Sequence, residues 1–268
     1  MCLILFAYRS HPVYPLILAA NRDEFYERPT AQASFREEFP DMLAGRDLKD
    51  GGTWLGITKT GRIAAITNFR DIHNLKDDAP SRGNLVSGFL RGGENPGEYI
   101  QNMRRVSDRY NGFNLILGDR SGLFYVSNAG GVFHEISSGV HGLSNHLLDT
   151  PWPKVEQGKK LLGSLISKTI NPSPDEIFHI LADTSRPDDE HLPDTGIGLE
   201  WERLLSPIFI QSEIYGTRSS TIIFVDREDN VTFIERSFIS GPDRYKTAEF
   251  GFRAHPGLFQ GSFLSSEG

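Results

Sequence analysis

The chain has 268 residues, 38% of them apolar, a formal charge of −7 and one cysteine. That length can bury a sizeable core, as one large domain or two small ones, with a single domain over 1–268 as the reading adopted, and no apolar run approaches the roughly 20 residues that span a bilayer. The absence of any Lys/Arg-dense stretch argues against a nucleic-acid binder, while a lone cysteine excludes an internal disulfide or a cysteine-based zinc cluster and fits a reducing, cytoplasmic setting.

The opening MCLILFAYRSHPVYPLILAA lacks a basic leader, and Arg9 and His11 split its apolar stretch. It reads as two strands and a turn, not a signal sequence. Residues 2–8 and 16–20 are continuous apolar runs, as expected for hairpin strands buried on both faces. A second hairpin is expected from TWLGIT and RIAAITNF around KTG, with Gly61 in a left-handed position. Helical spacing follows over 84–92 and 97–109, with Tyr99, Met103 and Val106 on one stripe. Strands return at GFNLILGD, GLFYVSN and GVFHEIS, with glycines marking the turns. Two helices come next. In TPWPKVEQGKKLLGSLIS, Thr150 is the expected cap and Val155, Leu161, Leu162, Leu165 and Ile166 share a face. In SPDEIFHILAD, Ser173 is the cap and Pro174 takes the first position. Residues 184–205 are polar, rich in Pro and Asp, and read as a long loop. SSTIIFVD and NVTFIERS close the series as a hairpin. The order predicts antiparallel sheet covered by helices on both faces, as a four-layer αββα sandwich or a simpler α+β fold; the four-layer sandwich is the reading adopted.

The chemistry is concentrated near the start. Removal of Met1, which a small second residue permits, leaves Cys2 with a free α-amine beside its thiol. Their unperturbed pKa values, about 7.7–8.0 and about 8.5, are closely matched. One residue then carries both nucleophile and base. The first hairpin brings Asn21-Arg22-Asp23-Glu24 beside Cys2. Arg22 is placed to hold a thiolate or a substrate anion, and Asp23 to orient the α-ammonium. Asn68 ends a strand, Asn145 follows one in a turn, and Arg218 stands at the mouth of another. Asparagine amides are suitable donors to an oxyanion.

Eight stretches, MCLILFAY, LILAANRDEFYERPT, GGTWLGIT, AAITNF, NGFNLIL, GLSNHLLDTPWPK, YGTRSSTIIFVD and VTFIERSF, closely resemble the NRDE family, the family of transport and Golgi organisation protein two. The resemblance runs in order from Met1 to about Ser237, and the tail from 238 matches poorly. It implies a fold like the N-terminal nucleophile hydrolases and chemistry nearest the choloylglycine hydrolase and penicillin V acylase group. The implied site is Cys2, Arg22, Asp23, Asn68, Asn145 and Arg218. The first three match by motif and spacing, the others by order along the chain. The group separates its Arg and Asp by two residues, whereas Arg22 and Asp23 are adjacent. Two functions are compatible with the resemblance. One is an amidase acting on a C–N bond of a small acylated molecule, with no cofactor. The other is a non-catalytic carrier of haem or acyl-CoA, in which Cys2 or a histidine such as His146 serves as haem ligand.

Overall fold

The computed structural model describes residues 2–239, 241–255 and 259. A six-stranded antiparallel sheet contains β1 (Cys2–Tyr8), β2 (Leu16–Phe25), β10 (Gly139–Leu143), β11 (Tyr215–Val225), β12 (Asn230–Phe238) and β13 (Tyr245–Arg253), in the order β10-β1-β2-β11-β12-β13. A seven-stranded sheet runs in chain order through β3 (Thr30–Arg36), β4 (Phe39–Asp47), β5 (Leu55–Thr58), β6 (Ile63–Asn68), β7 (Phe113–Asp119), β8 (Gly122–Ser127) and β9 (Phe133–Glu135). Five helices accompany them: α1 (Gly83–Arg91), α2 (Pro96–Arg104), α3 (Pro153–Lys168), α4 (Pro174–Leu181) and α5 (Leu199–Leu205).

Side-chain alternation sorts these elements into four layers. Ile4, Phe6, Tyr8, Leu16 and Leu18 meet Leu43, Leu55, Ile57, Ala65 and Ile116 between the sheets. The alternate residues Leu3, Leu5, Ala7, Ile17 and Ala19 pack on Val155, Leu162, Ile177 and Leu181 of α3 and α4. On the far side, Ala44, Ala64, Leu115 and Leu117 pack on Leu85, Phe89, Ile100 and Met103 of α1 and α2. The expected αββα sandwich is therefore present, and burial on both faces explains the unbroken apolar runs of β1 and β2. Each fully buried Leu, Ile or Phe side chain contributes roughly 1.5–3 kcal/mol.

Several local expectations need correction. β2 continues through Phe25, so Asn21-Arg22-Asp23-Glu24 lies in the strand; all four pair with β11, and Asn21 and Arg22 also pair with β1. The second helical stripe ends at Arg104, with a separate 3₁₀ turn at Ser107–Arg109 that leaves Val106 outside the helix. Thr150 does not cap α3. Trp152 occupies the cap position without a side-chain bond, and Thr150 Oγ1 is 2.9 Å from His146 Nδ1. Leu161 is exposed rather than packed. The long loop contains a 3₁₀ turn at Asp189–His191 and the whole of α5.

One link between β10 and the turn after it is pH-dependent. His141 Nδ1 is 2.7 Å from Asp149 Oδ2, and its Nε2 is 2.9 Å from the Ser137 carbonyl. Both partners accept, so only the protonated imidazole satisfies both. Burial pulls the His141 pKa down, but the bonds to Asp149 and Ser137 outweigh it and the net direction is up. A pKa raised above the unfolded value near 6.5 gives stability that is complete below that pH and lost as pH climbs through the folded value. We expect the unfolding free energy to fall by up to about 1 kcal/mol over that window, since the pair is partly solvated. Urea unfolding at closely spaced pH values should show this step in the wild type and not in Asp149→Asn; an equal step in both would assign it elsewhere.

Candidate active site

Cys2 opens β1 and pairs directly with Arg22 of β2. Both lie on the wall of a cavity of about 200 Å³, with Asp23, Glu24, Arg28, Asp47, Asp50, Trp54, Asn68 and the segment from Ala79 to Gly83. Among the described residues Cys2 is the sole cysteine, and it is a free thiol. Burial pushes the thiol above its ordinary pKa, with the Asp23 charge adding to the rise and Arg22 opposing it.

Adjacency in a strand sends Arg22 and Asp23 to opposite faces. Arg22 points between the sheets. Its guanidinium stacks 4.3 Å from the Trp54 ring centre, donates to Thr30 Oγ1 at 3.2 Å and is 3.7 Å from Asp47 Oδ2. A Cβ at Gly45 would collide with the Trp54 indole, so the glycine is what admits the ring beneath Arg22. Asp23 points toward the helices, where its Oδ1 accepts from Thr217 Oγ1 at 2.7 Å. Burial raises the Asp23 pKa, and Lys154 of α3 is the largest opposing influence. Lys154 is buried and donates from Nζ to the Leu205 carbonyl at 2.9 Å. Desolvation lowers its pKa to about 8, although Asp23 works in the other direction.

The remaining sequence-predicted residues are distributed unequally. Asn68 ends β6 on the cavity wall. Asn145 is fully buried behind that wall and does not line the cavity; its Nδ2 donates to the Asn68 carbonyl at 2.9 Å. Ser144 Oγ bridges the same region to β1, 3.2 Å from the Cys2 carbonyl. Arg218 is not brought into the cavity. It is the extra residue of a β-bulge, because Thr217 pairs with Asp23 while Ser219 pairs with Arg22. Its guanidinium donates to the Phe25 and Arg28 carbonyls at 2.8 and 3.0 Å, fastening the turn after β2. Neither Arg218 nor Asn145, both members of the site that the resemblance implies, lines this cavity. His146 also lies off the cavity, its ring between Phe69 and Trp152.

Sequence reasoning overlooked Trp54, Arg82, Lys154 and the Arg28 network. Trp54 carried a signal, since it sits in the GGTWLG stretch between an unusual glycine pair and an apolar strand. Gly52 packs so closely on the Gly83 backbone that a Cβ would come within 2.7 Å of it. That contact joins the Trp54 loop to the start of α1 and closes the cavity wall.

Against known proteins, residues 1–240 match the family described as Transport and Golgi organisation 2. A Transport and Golgi organization protein 2 homolog from Bos taurus is 38% identical, over 94% of this chain and 99% of its own length. A homolog from Homo sapiens is 37% identical, over 89% and 94% respectively. Among solved structures, penicillin V acylase from Agrobacterium tumefaciens superposes with a TM-score of 0.53 at 12% identity, covering 93% of this chain and 86% of that one. A mutant of conjugated bile acid hydrolase from Clostridium perfringens gives 0.51 at 9% identity, covering 95% and 97%. These two share the fold, whereas the family match over residues 1–240 spans the stretch that holds every cavity residue named above: the chain belongs to the Transport and Golgi organisation 2 family.

Proposed function

We propose that the chain is a cysteine N-terminal nucleophile hydrolase that cleaves the amide C–N bond of a small, polar acylated molecule. The observation that carries this reading is the Cys2–Arg22 pairing at the wall of a polar cavity. After loss of Met1, the Cys2 α-amine takes the thiol proton and Sγ attacks the amide carbonyl. The Asn68 side-chain amide donates to the oxyanion, and Asn145 holds the Asn68 backbone in place. The ammonium then protonates the departing nitrogen as the C–N bond breaks, leaving a thioester and a free amine. Water, deprotonated by the same α-amine, cleaves the thioester and releases the acid. Asp23, anchored by Thr217, orients the ammonium.

The size and lining of the cavity favour this reading over a carrier of haem or acyl-CoA. Its volume is below the roughly 300–1,000 Å³ of drug-sized ligand sites, which are mostly apolar. This one is lined mainly by polar and charged residues.

The test compares two forms of the protein separated by intact mass, one retaining Met1 and one beginning at Cys2. An ammonium on Cys2 itself favours its thiolate more than one a residue away. Iodoacetamide labelling of Cys2 should therefore have a lower pH midpoint in the Met1-free form, and only that form should hydrolyse N-acyl substrates. Equal midpoints and equal, absent hydrolysis would overturn the proposal.

A further inference from the structure

The charges on the cavity wall do not cancel evenly. Arg28 Nε is 2.6 Å from Asp47 Oδ2, and its Nη2 is 2.6 Å from Asp50 Oδ2. Glu24 lies between two guanidiniums, 4.0 Å from Arg22 and 3.9 Å from Arg28. Arg22 also has Asp47 at 3.7 Å. Asp23 turns to the other face of the sheet, toward Thr217. Each lining carboxylate is thus already occupied. Arg82 is different. It donates from Nη1 to the Gly112 carbonyl at 3.1 Å, and among the described residues no carboxylate oxygen comes within 4.0 Å of it. Its other donors are uncommitted.

Arg82 is also held firmly where it is. It occupies the cap position of α1 in helical geometry, and its neighbour Gly83 is pressed against Gly52. Burial lowers the Arg82 pKa, while Glu24 and Cys2 raise it, so its charge is felt by groups across the cavity.

We propose that Arg82 recognises a carboxylate on the substrate and that the molecule cleaved at Cys2 is a monoanion. This inference rests on the hydrolase reading above and specifies its substrate. One open guanidinium matches one negative charge. A phosphate dianion or a polyphosphate would face Glu24, Asp47 and Asp50 with a single uncommitted cation to offset them. Arginine presents a planar fork that a carboxylate fits in two-point fashion, which lysine does not reproduce.

The experiment uses Cys2 alkylation, which needs no known substrate. Iodoacetate and iodoacetamide form the same Sγ–C bond and expel iodide, but only the first carries a carboxylate. On Met1-free protein, the ratio of iodoacetate to iodoacetamide rates should fall about tenfold in Arg82→Gln, the scale of one lost charged contact. Taking the ratio cancels any loss of thiol reactivity common to both reagents. Arg82→Lys should keep part of the preference. On the wild type alone, acetate should slow iodoacetamide labelling and acetamide should not, a readout independent of how any variant folds. An unchanged ratio in Arg82→Gln together with equal protection by acetate and acetamide would overturn the Arg82 assignment and leave the nucleophile intact. Wild-type Cys2 that reacts with neither reagent would overturn the hydrolase reading, and the substrate assignment with it.

Discussion

Cys2→Ser is expected to remove amide hydrolysis, lowering kcat/KM by at least ~10³-fold, the order lost when a catalytic nucleophile is disabled. The substitution changes one atom on a partly exposed side chain at the start of a strand. Stability should therefore stay within about 0.5 kcal/mol of the wild type. A serine hydroxyl is far harder to ionise than a thiol and is not matched to an α-amine base. Cys2→Ala should behave in the same way, because the remaining groups around the cavity bind and polarise but do not attack. The measurement pairs hydrolysis of a panel of N-acyl and thioester substrates with urea unfolding, on protein whose Met1 removal is confirmed by mass. A serine variant that retains turnover would move the nucleophile elsewhere. Met1-free wild type that cleaves nothing, yet binds haem or acyl-CoA as tightly as its serine variant, would favour the carrier.

The largest stability effect should come from the segment over 184–205. Glu202 of α5 is buried and meets the buried Arg70 guanidinium at 2.6 Å. The same carboxylate accepts from the Thr195 N–H at 2.9 Å and from Thr195 Oγ1 at 2.5 Å. Glu202→Ala leaves Arg70 charged and buried without its carboxylate, which costs about 3–5 kcal/mol. The combined change Arg70→Met with Glu202→Leu should cost much less, because no unpaired charge remains. Arg70 also donates its backbone N–H to the Asn145 carbonyl at 2.7 Å, so the pair ties the segment to the back of the cavity wall. Urea unfolding gives the free energies, and limited proteolysis should cut Glu202→Ala first within 184–205. A loss under 1 kcal/mol in the single variant would show that water reaches and solvates Arg70.

Some elements were legible because one physical signal dominated them. The Ser173 cap of α4 needs only a hydroxyl, a proline and a glutamate in sequence, and its side chain accepts from the Asp175 N–H. The β3–β4 hairpin and β13 gave no such signal. β13 is an edge strand with most side chains exposed, so it shows no apolar run for a periodicity argument to detect. β3 is mostly half-buried and mixes Thr, Gln, Ser and Arg with apolar residues. The reach of β2 through four polar residues was hidden as well. Asn21 is satisfied there by the distant Leu181 and Ile208 carbonyls at 2.8 and 2.9 Å, partners that no local pattern announces.

What the sequence by itself determined is the burial of the first two strands and the placement of Cys2 beside the second of them. Two apolar strands joined by a short turn pair antiparallel, and their burial on both faces requires that each face be covered. That pairing alone sets Cys2 against Arg22. The tertiary structure decided which charges remain open around them. Arg218 was diverted by a bulge to backbone carbonyls, Asn145 was set behind the wall, Lys154 was buried beneath Asp23, and Arg82 was left facing the cavity without a carboxylate. The reason is range. Periodicity and capping are set by neighbours a few residues apart. The pairing of a charge is set by distances of a few ångströms between groups that lie, like Cys2, Arg22, Trp54 and Arg82, tens of positions apart and meet only when the sheets close.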